Sequence, residues 1–308
     1  MDRVKGDYDT EIKSIVGDQV YQAVKSRSQG FSSTTYFVTF ADNSSTVIQF
    51  RPISRPIDIE AISFARSRLG CLVPEFQLLT KIQNNSVLVY RMTRLPGDSF
   101  SVLMDTPNLI HLLPSIAENM GHLLGKCLIP GSRAGDDQTW FEVVQKHLLL
   151  AAESHDPLVI LHRSHYRRLL EVVRSGALDD LPVAISNDDV SPSNIIVDRD
   201  TVGLVDWEYV AHYPLGYETR AVFWLMGRGF NESYGLYENA PRVEDTFWKN
   251  FGTQLPDAVR KQSAAVQSAM QVGAALSTCV FGKHTKGNFA SLPFMLKYNI
   301  PLAFLEPV

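Results

Sequence analysis

The chain of 308 residues is 45% hydrophobic and 20% charged, which is enough apolar content for a large buried core in one or two domains. Its formal net charge of −4 argues against a nucleic-acid binder held by a broad basic surface, and its three cysteines, Cys71, Cys127 and Cys279, lack the spacing of a disulfide framework or a zinc site. The first residues lack the apolar core of a signal peptide and no apolar run approaches the ~18 residues of a membrane span, so the expectation is a cytoplasmic protein without membrane or nucleic-acid partners.

Over residues 8–26, Ile12, Ile15, Val16, Val20 and Val24 approximate one face of an amphipathic helix. The period changes to two at Tyr36–Phe40 and Thr46–Arg51, with a hairpin turn, Ala-Asp-Asn-Ser-Ser, between them. Ahead of these strands lies Gln-Gly-Phe-Ser-Ser-Thr, whose Gly30, Ser32 and Ser33 suit a phosphate cradle of backbone N–H and hydroxyl donors or an ordinary strand entry. Ile57-Asp58-Ile59-Glu60-Ala61 then opens a helix, with Ile62, Ala65 and Leu69 on one face and Gly70 as its C-cap. Strands over Glu75–Thr80 and Ser86–Met92 end at the pattern break Arg94-Leu95-Pro96-Gly97. Helical periods follow at 112–128, 138–154 and 157–174. His162, His165 and Arg168 read as the solvated side of the last, with Leu161, Leu169 and Leu170 as its buried side. Toward the C-terminus, a long helix is expected over 256–280, then an aromatic-rich tail.

The most informative stretch runs from Ile185 to Glu208. Asp189 opens a tight loop whose Ser-Pro-Ser suits turn geometry, and Asn194 closes it. Ile195–Val197 reads as a short strand, 198–201 as a turn, and Val202–Val205 as a buried strand that ends in Asp206. Phosphoryl transfer needs one carboxylate to orient the attacking hydroxyl or take its proton, and hard oxygen ligands to hold Mg²⁺ against nucleotide phosphates. Asp189 fits the first role, and Asn194 with Asp206 fits the second. Each residue alone is ordinary in a turn, whereas the joint spacing is not.

Asp189-x-x-x-x-Asn194, followed twelve residues on by Val-Asp206-Trp-Glu208, resembles the catalytic core of the aminoglycoside phosphotransferase and choline kinase family. The resemblance implies an α+β, bilobal protein-kinase-like fold, with a small antiparallel-sheet N-lobe over 1–93 and a mostly helical C-lobe over 94–308. It implies Asp189 as catalytic aspartate, Asn194 and Asp206 as metal ligands, and ATP and Mg²⁺ as cofactors, with a small hydroxylated molecule as acceptor. The family carries His two residues before its catalytic aspartate, mainly as support for the loop backbone; here that place is held by Asn187. Asp188 and Glu208 then either reach substrate or a second metal or support the loop, and Glu218 anchors the following helix.

In the N-lobe the resemblance makes the Gly30, Ser32 and Ser33 stretch the cover of the nucleotide. The strand that carries the family's phosphate-gripping lysine has none here; Gln49 stands nearest, and Arg51, on the same face, supplies the charge. Glu60 is the expected partner of that basic residue, with Asp58 as competitor, and the backbone of Tyr90 to Met92 is expected to hold the adenine. The C-terminal helices build the acceptor pocket, whose walls read as apolar and aromatic. Two alternatives stand beside a hydroxyl phosphotransferase: a kinase-like binding or regulatory protein without turnover, suggested by Asn187 and the missing lysine, and an enzyme whose phosphorylation step leads to elimination or cyclisation.

Overall fold

The computed structural model describes residues 8–26, 33–83, 86–199, 201–230, 233–280, 283–284, 292–301 and 304. The chain divides into two compact units: 1–96 with 204–210, and 97–203 with 211–308.

The first unit is a five-stranded antiparallel sheet with two helices: α1 (Asp9–Val16), β1 (Tyr21–Lys25), β2 (Thr34–Phe40), β3 (Ser45–Pro52), α2 (Ile59–Leu69), β4 (Phe76–Ile82) and β5 (Val87–Thr93), in the sheet order β1-β2-β3-β5-β4. Alternation in β2, β3 and β5 places Tyr36, Val38, Ile48, Phe50, Val87 and Val89 on one buried face, which Tyr8 and Ile12 cover. Tyr8 stacks on Phe50 with ring centroids 4.0 Å apart. The helix expected over 8–26 is a correction. It ends at Gly17, whose φ of +72° closes the last turn through a hydrogen bond to the Lys13 carbonyl. Residues 21–25 instead pair with β2, from Tyr21 opposite Phe40 to Lys25 opposite Tyr36. Val20 and Val24, counted on the helical stripe, are 76% and 51% exposed. Asp58 caps α2, accepting a hydrogen bond from Ala61 N–H at 3.0 Å, while Ile62, Ala65 and Leu69 are buried and Gly70 follows the helix, as expected.

The second unit runs β6 (Asp98–Ser99), α3 (Phe100–Leu103), α4 (Leu109–Lys126), α5 (Gln138–Ala152), α6 (Pro157–Ile160), α7 (Arg163–Arg174), β7 (Val183–Ser186), β8 (Ile195–Asp198), β9 (Thr201–Leu204), β10 (Ala211–Pro214), α8 (Val222–Met226), β11 (Gly227–Phe230), β12 (Ser233–Leu236), α9 (Ala240–Thr253), α10 (Asp257–Arg260), α11 (Ser263–Thr278), β13 (Cys279–Val280), β14 (Lys283–His284) and α12 (Leu292–Met295). Helices carry the core. At Gly121 of α4 a Cβ would lie 2.5 Å from the Phe247 carbonyl of α9, so only glycine lets these two helices cross so closely. Gly97, with φ +96°, brings β6 against β8 where a Cβ would meet the Val197 carbonyl at 2.0 Å. The helix expected over 256–280 is two helices and a strand, since the chain turns at Lys261–Gln262 and extends again at Cys279. Leu161 is 69% exposed rather than buried, because α7 begins after it and turns Tyr166, Leu169, Leu170 and Val173 inward. The aromatic tail packs on itself as core: Tyr298 sits beside Phe223 and Phe294, and Trp248 donates its indole N–H to the Tyr298 hydroxyl at 2.6 Å.

Candidate active site

In the second unit, β7 pairs antiparallel with β10, Ser186 opposite Ala211, and the chain then turns through residues 187–194 into β8. Inside that loop Asn194 donates its side-chain amide to the Asp189 carboxylate at 2.9 Å and to the Asp189 carbonyl at 3.0 Å. The same carbonyl accepts from Ser191 N–H at 2.9 Å and from the Asn187 amide at 3.4 Å. Asn187, which stands where the resemblance implies His, thus gives the loop backbone some support, at the long end of hydrogen-bond range. Asp189 remains exposed, with one carboxylate oxygen fixed by Asn194.

A buried ionic anchor holds the loop at both ends. Ser186 accepts the Asp188 N–H at 2.8 Å and donates its hydroxyl to Glu218, and Glu218 pairs with Arg220 at 2.8 Å. Arg220 then donates to the Val190 carbonyl at 3.2 Å and lies over the Tyr217 ring, 5.8 Å from its centroid. Between these ends Asp188 sits at φ +60°, in left-handed backbone costly for a non-glycine residue. Tyr213 holds it there by donating to its carboxylate at 2.5 Å, and the Tyr213 ring is stacked on Tyr217 at 3.9 Å. Burial pushes the Glu218 carboxyl up, against the pull of Arg220. For Arg220, burial alone would lower the guanidinium, but Glu218, Tyr217, Asp189 and Asp188 together outweigh it and hold the group above its ordinary value. Ser186, Tyr213, Tyr217, Glu218 and Phe251 line a small pocket with room for about one water.

In the first unit, Arg51 and Gln49 point from the same face of β3, as strand geometry requires. Gln49 donates to the Ser33 hydroxyl at 3.0 Å and accepts from Arg51 at 3.4 Å. Arg51 is 1% exposed; it donates to the Arg55 carbonyl at 3.1 Å and forms an ion pair with Glu208. The carboxylate beside Arg51 is therefore Glu208, a correction to the pairing expected of Glu60, which lies exposed in the first turn of α2. Asp206 has φ +60°, and next to it Trp207 is fully buried with its indole N–H on the Leu204 carbonyl at 2.8 Å. Tyr90 to Met92 lie in an interior strand paired on both sides, Tyr90 with Gln49 and Leu78, Met92 with Val47 and Phe76. The Met92 carbonyl also accepts the Thr46 hydroxyl at 2.9 Å. Gly30 and Ser32 lie outside the described residues, and Ser33 is buried on Gln49.

Sequence reasoning missed Ser186, Tyr213 and Arg220 as supports of the loop, and Glu208 as the counter-ion of Arg51. One signal was available: Glu218 and Arg220 lie in a stretch of otherwise apolar and aromatic residues, where charges are buried only in pairs. Among the described residues no cluster of three or more His, Cys, Asp or Glu forms a metal site, and no helix is long and apolar enough to cross a membrane.

An antiparallel sheet followed by a helical unit is the protein-kinase-like α+β fold of the small-molecule kinases among the solved structures. The model of the phosphotransferase enzyme family matches residues 23–240, and the chain belongs to that family. Among solved structures, amicoumacin kinase hAmiN in complex with AMP-PNP, Ca²⁺ and amicoumacin is similar, at 12% identity and TM-score 0.55, over 94% of this chain and 92% of that one. A thermostable mutant of aminoglycoside phosphotransferase APH(4)-Ia with ADP and hygromycin B is 11% identical, TM-score 0.54, over 94% and 95%. An ethanolamine kinase of Plasmodium vivax is 14% identical, TM-score 0.51, over 92% and 84%. No curated protein matches the sequence.

Proposed function

We propose that this protein transfers the γ-phosphoryl group of ATP to a hydroxyl of a small molecule, with Asp189 as the catalytic residue. The observation that carries this reading is the hydrogen bond from Asn194 to the Asp189 carboxylate within an anchored loop. It fixes one oxygen and leaves the other to orient the acceptor hydroxyl and take its proton late in transfer. Asn194 spends its amide nitrogen on Asp189, so its amide oxygen suits a hard cation; Asp206 supplies a carboxylate oxygen. Mg²⁺ needs only one or two protein oxygens and keeps waters and phosphate oxygens as its other ligands. When bound, Mg²⁺ neutralises charge on the transferring phosphates.

We assign nucleotide covering to residues 1–93 and acceptor binding to 94–308. To the phosphates we assign the stretch with Gly30, Ser32 and Ser33, supported by Gln49 and Arg51. The adenine is assigned to the end of the five-stranded sheet, at the backbone of Tyr90 to Met92. AMP-PNP in amicoumacin kinase and ADP in APH(4)-Ia support a nucleotide donor. The bound amicoumacin and hygromycin B support a small hydroxylated acceptor.

The test is thermal-shift titration with ATP and Mg²⁺, separately and together, followed by an ADP-release screen across hydroxylated small molecules. Stabilisation by the two together and substrate-dependent ADP release are expected. Nucleotide binding that ignores the metal, with no ADP released on any acceptor, would overturn the reading in favour of a binding protein without turnover.

A further inference from the structure

Arg51 stands where a basic residue is needed for nucleotide phosphates, yet its guanidinium is already engaged in three directions. Its Nε donates to the Arg55 carbonyl at 3.1 Å, and Nη1 reaches Gln49 at 3.4 Å and the Glu208 carboxylate. With only 1% of the residue exposed, a phosphate could be reached only by dismantling this set. Glu208 lies two residues after Asp206, and the residue between them, Trp207, is fully buried. A segment fixed by a buried ring and a buried ion pair has little freedom to move Asp206 about, although Asp206 itself is held at φ +60°. On the other side of Arg51, Gln49 spends one end of its amide on the guanidinium and the other on Ser33, the last residue of the stretch ahead of β2.

Resting on the nucleotide-binding reading above, the geometry points to Arg51 as a positioning residue that acts through Glu208 to hold Asp206 for the metal, with Gln49 extending the hold to Ser33. Glu208 thereby gains a role that neither the loop spacing nor the family resemblance assigns to it. The charge of Arg51 serves the metal-bearing segment. Outer partners that orient a metal ligand in this way affect affinity for the metal before they affect affinity for anything else.

The experiment measures Mn²⁺ binding to the protein–ADP complex by electron paramagnetic resonance, and ADP binding in EDTA by calorimetry, for wild type, Arg51→Gln, Glu208→Gln and the double variant. Each single variant should weaken Mn²⁺ binding by about tenfold to a hundredfold. The double variant should be no worse than the poorer single, because both remove one interaction. Metal-free ADP affinity should hardly change. Arg51→Lys, which keeps a cation beside Glu208, should retain more Mn²⁺ affinity than Arg51→Gln. A loss of metal-free ADP affinity in Arg51→Gln but not in Glu208→Gln would overturn the proposal and make Arg51 a direct phosphate ligand; so would additive losses. Should Arg51→Gln fail to fold, Glu208→Gln decides alone, since unchanged Mn²⁺ affinity there is fatal to the idea. A wild-type protein that binds no ADP, with or without metal, refutes the nucleotide reading itself and needs no variant to show it.

Discussion

Replacing Glu218 with leucine should be among the most damaging single changes in this protein, because it strands a charge that cannot be given up. Arg220 is buried and its guanidinium stays protonated at any pH the fold survives, so losing the carboxylate at 2.8 Å leaves an uncompensated cation, a defect of about 3–5 kcal/mol. Ser186 loses the acceptor for its hydroxyl as well, about 1 kcal/mol more. The Val190 carbonyl and the Tyr217 face still receive Arg220, so the net loss should be near 4 kcal/mol. The reverse change, Arg220→Met, should cost less, because a stranded carboxyl can take a proton. Burial already raises Glu218 above its ordinary value of 4.5, and without Arg220 the folded-state value rises further. A raised folded value means that the native state binds the proton more tightly than the unfolded chain. The Arg220→Met protein is therefore relatively most stable below 4.5 and loses stability as pH rises through the folded value. Urea unfolding followed by circular dichroism, at neutral and at mildly acid pH, measures all of this. The double variant Glu218→Leu/Arg220→Met should lose less than Glu218→Leu alone. The reasoning is refuted if Arg220→Met proves the more damaging single change at neutral pH, or if acidification brings it no recovery relative to wild type.

Asp189→Asn should leave the melting temperature and nucleotide binding nearly unchanged while kcat falls by ~10²-fold or more, the usual scale for a general acid–base group; near-normal turnover would shift attention to Asp188. Asp206→Asn should abolish Mg²⁺-dependent stabilisation by ATP in a thermal-shift assay, since it removes a charge from the cation's shell. Gly97→Ala should destabilise by about 1–3 kcal/mol in the same urea assay, because φ is +96° and the new methyl carbon would lie 2.0 Å from the Val197 carbonyl. Burial lowers His147, His162 and His165 from 6.5, so the unfolded chain binds more protons and stability falls as pH drops below that value. Replacing all three with glutamine should flatten the fall in melting temperature between about pH 7.5 and 5.5.

The parts of this fold that were legible in the sequence are those in which local chemistry decides. The β2–β3 hairpin, the α2 helix with Gly70 after it, and the strand-turn-strand that runs from Asn194 to Asp206 all follow from period and turn residues. Legibility failed where a neighbouring strand decides. Residues 21–25 carry a helical apolar stripe, but the open edge of β2 recruits them into the sheet and leaves Val20 and Val24 at the surface. The same holds for the polar network. Asp189 and Asn194 lie five residues apart and their pairing could be inferred from spacing, whereas Glu208 meets Arg51 and Glu218 meets Ser186 only through tertiary structure.

The first unit is not a contiguous stretch of chain: residues 204–210 belong with 1–96. A growing polypeptide will therefore have made every strand of the five-stranded sheet long before Glu208 leaves the ribosome, and Arg51 must spend that interval without its carboxylate. A cation left buried in that way is costly, so the sheet should stay loose around β3 until roughly two thirds of the protein has been synthesised. A fragment that stops at Pro96 should accordingly fold poorly by itself and gain order when a peptide spanning 204–210 is added in trans.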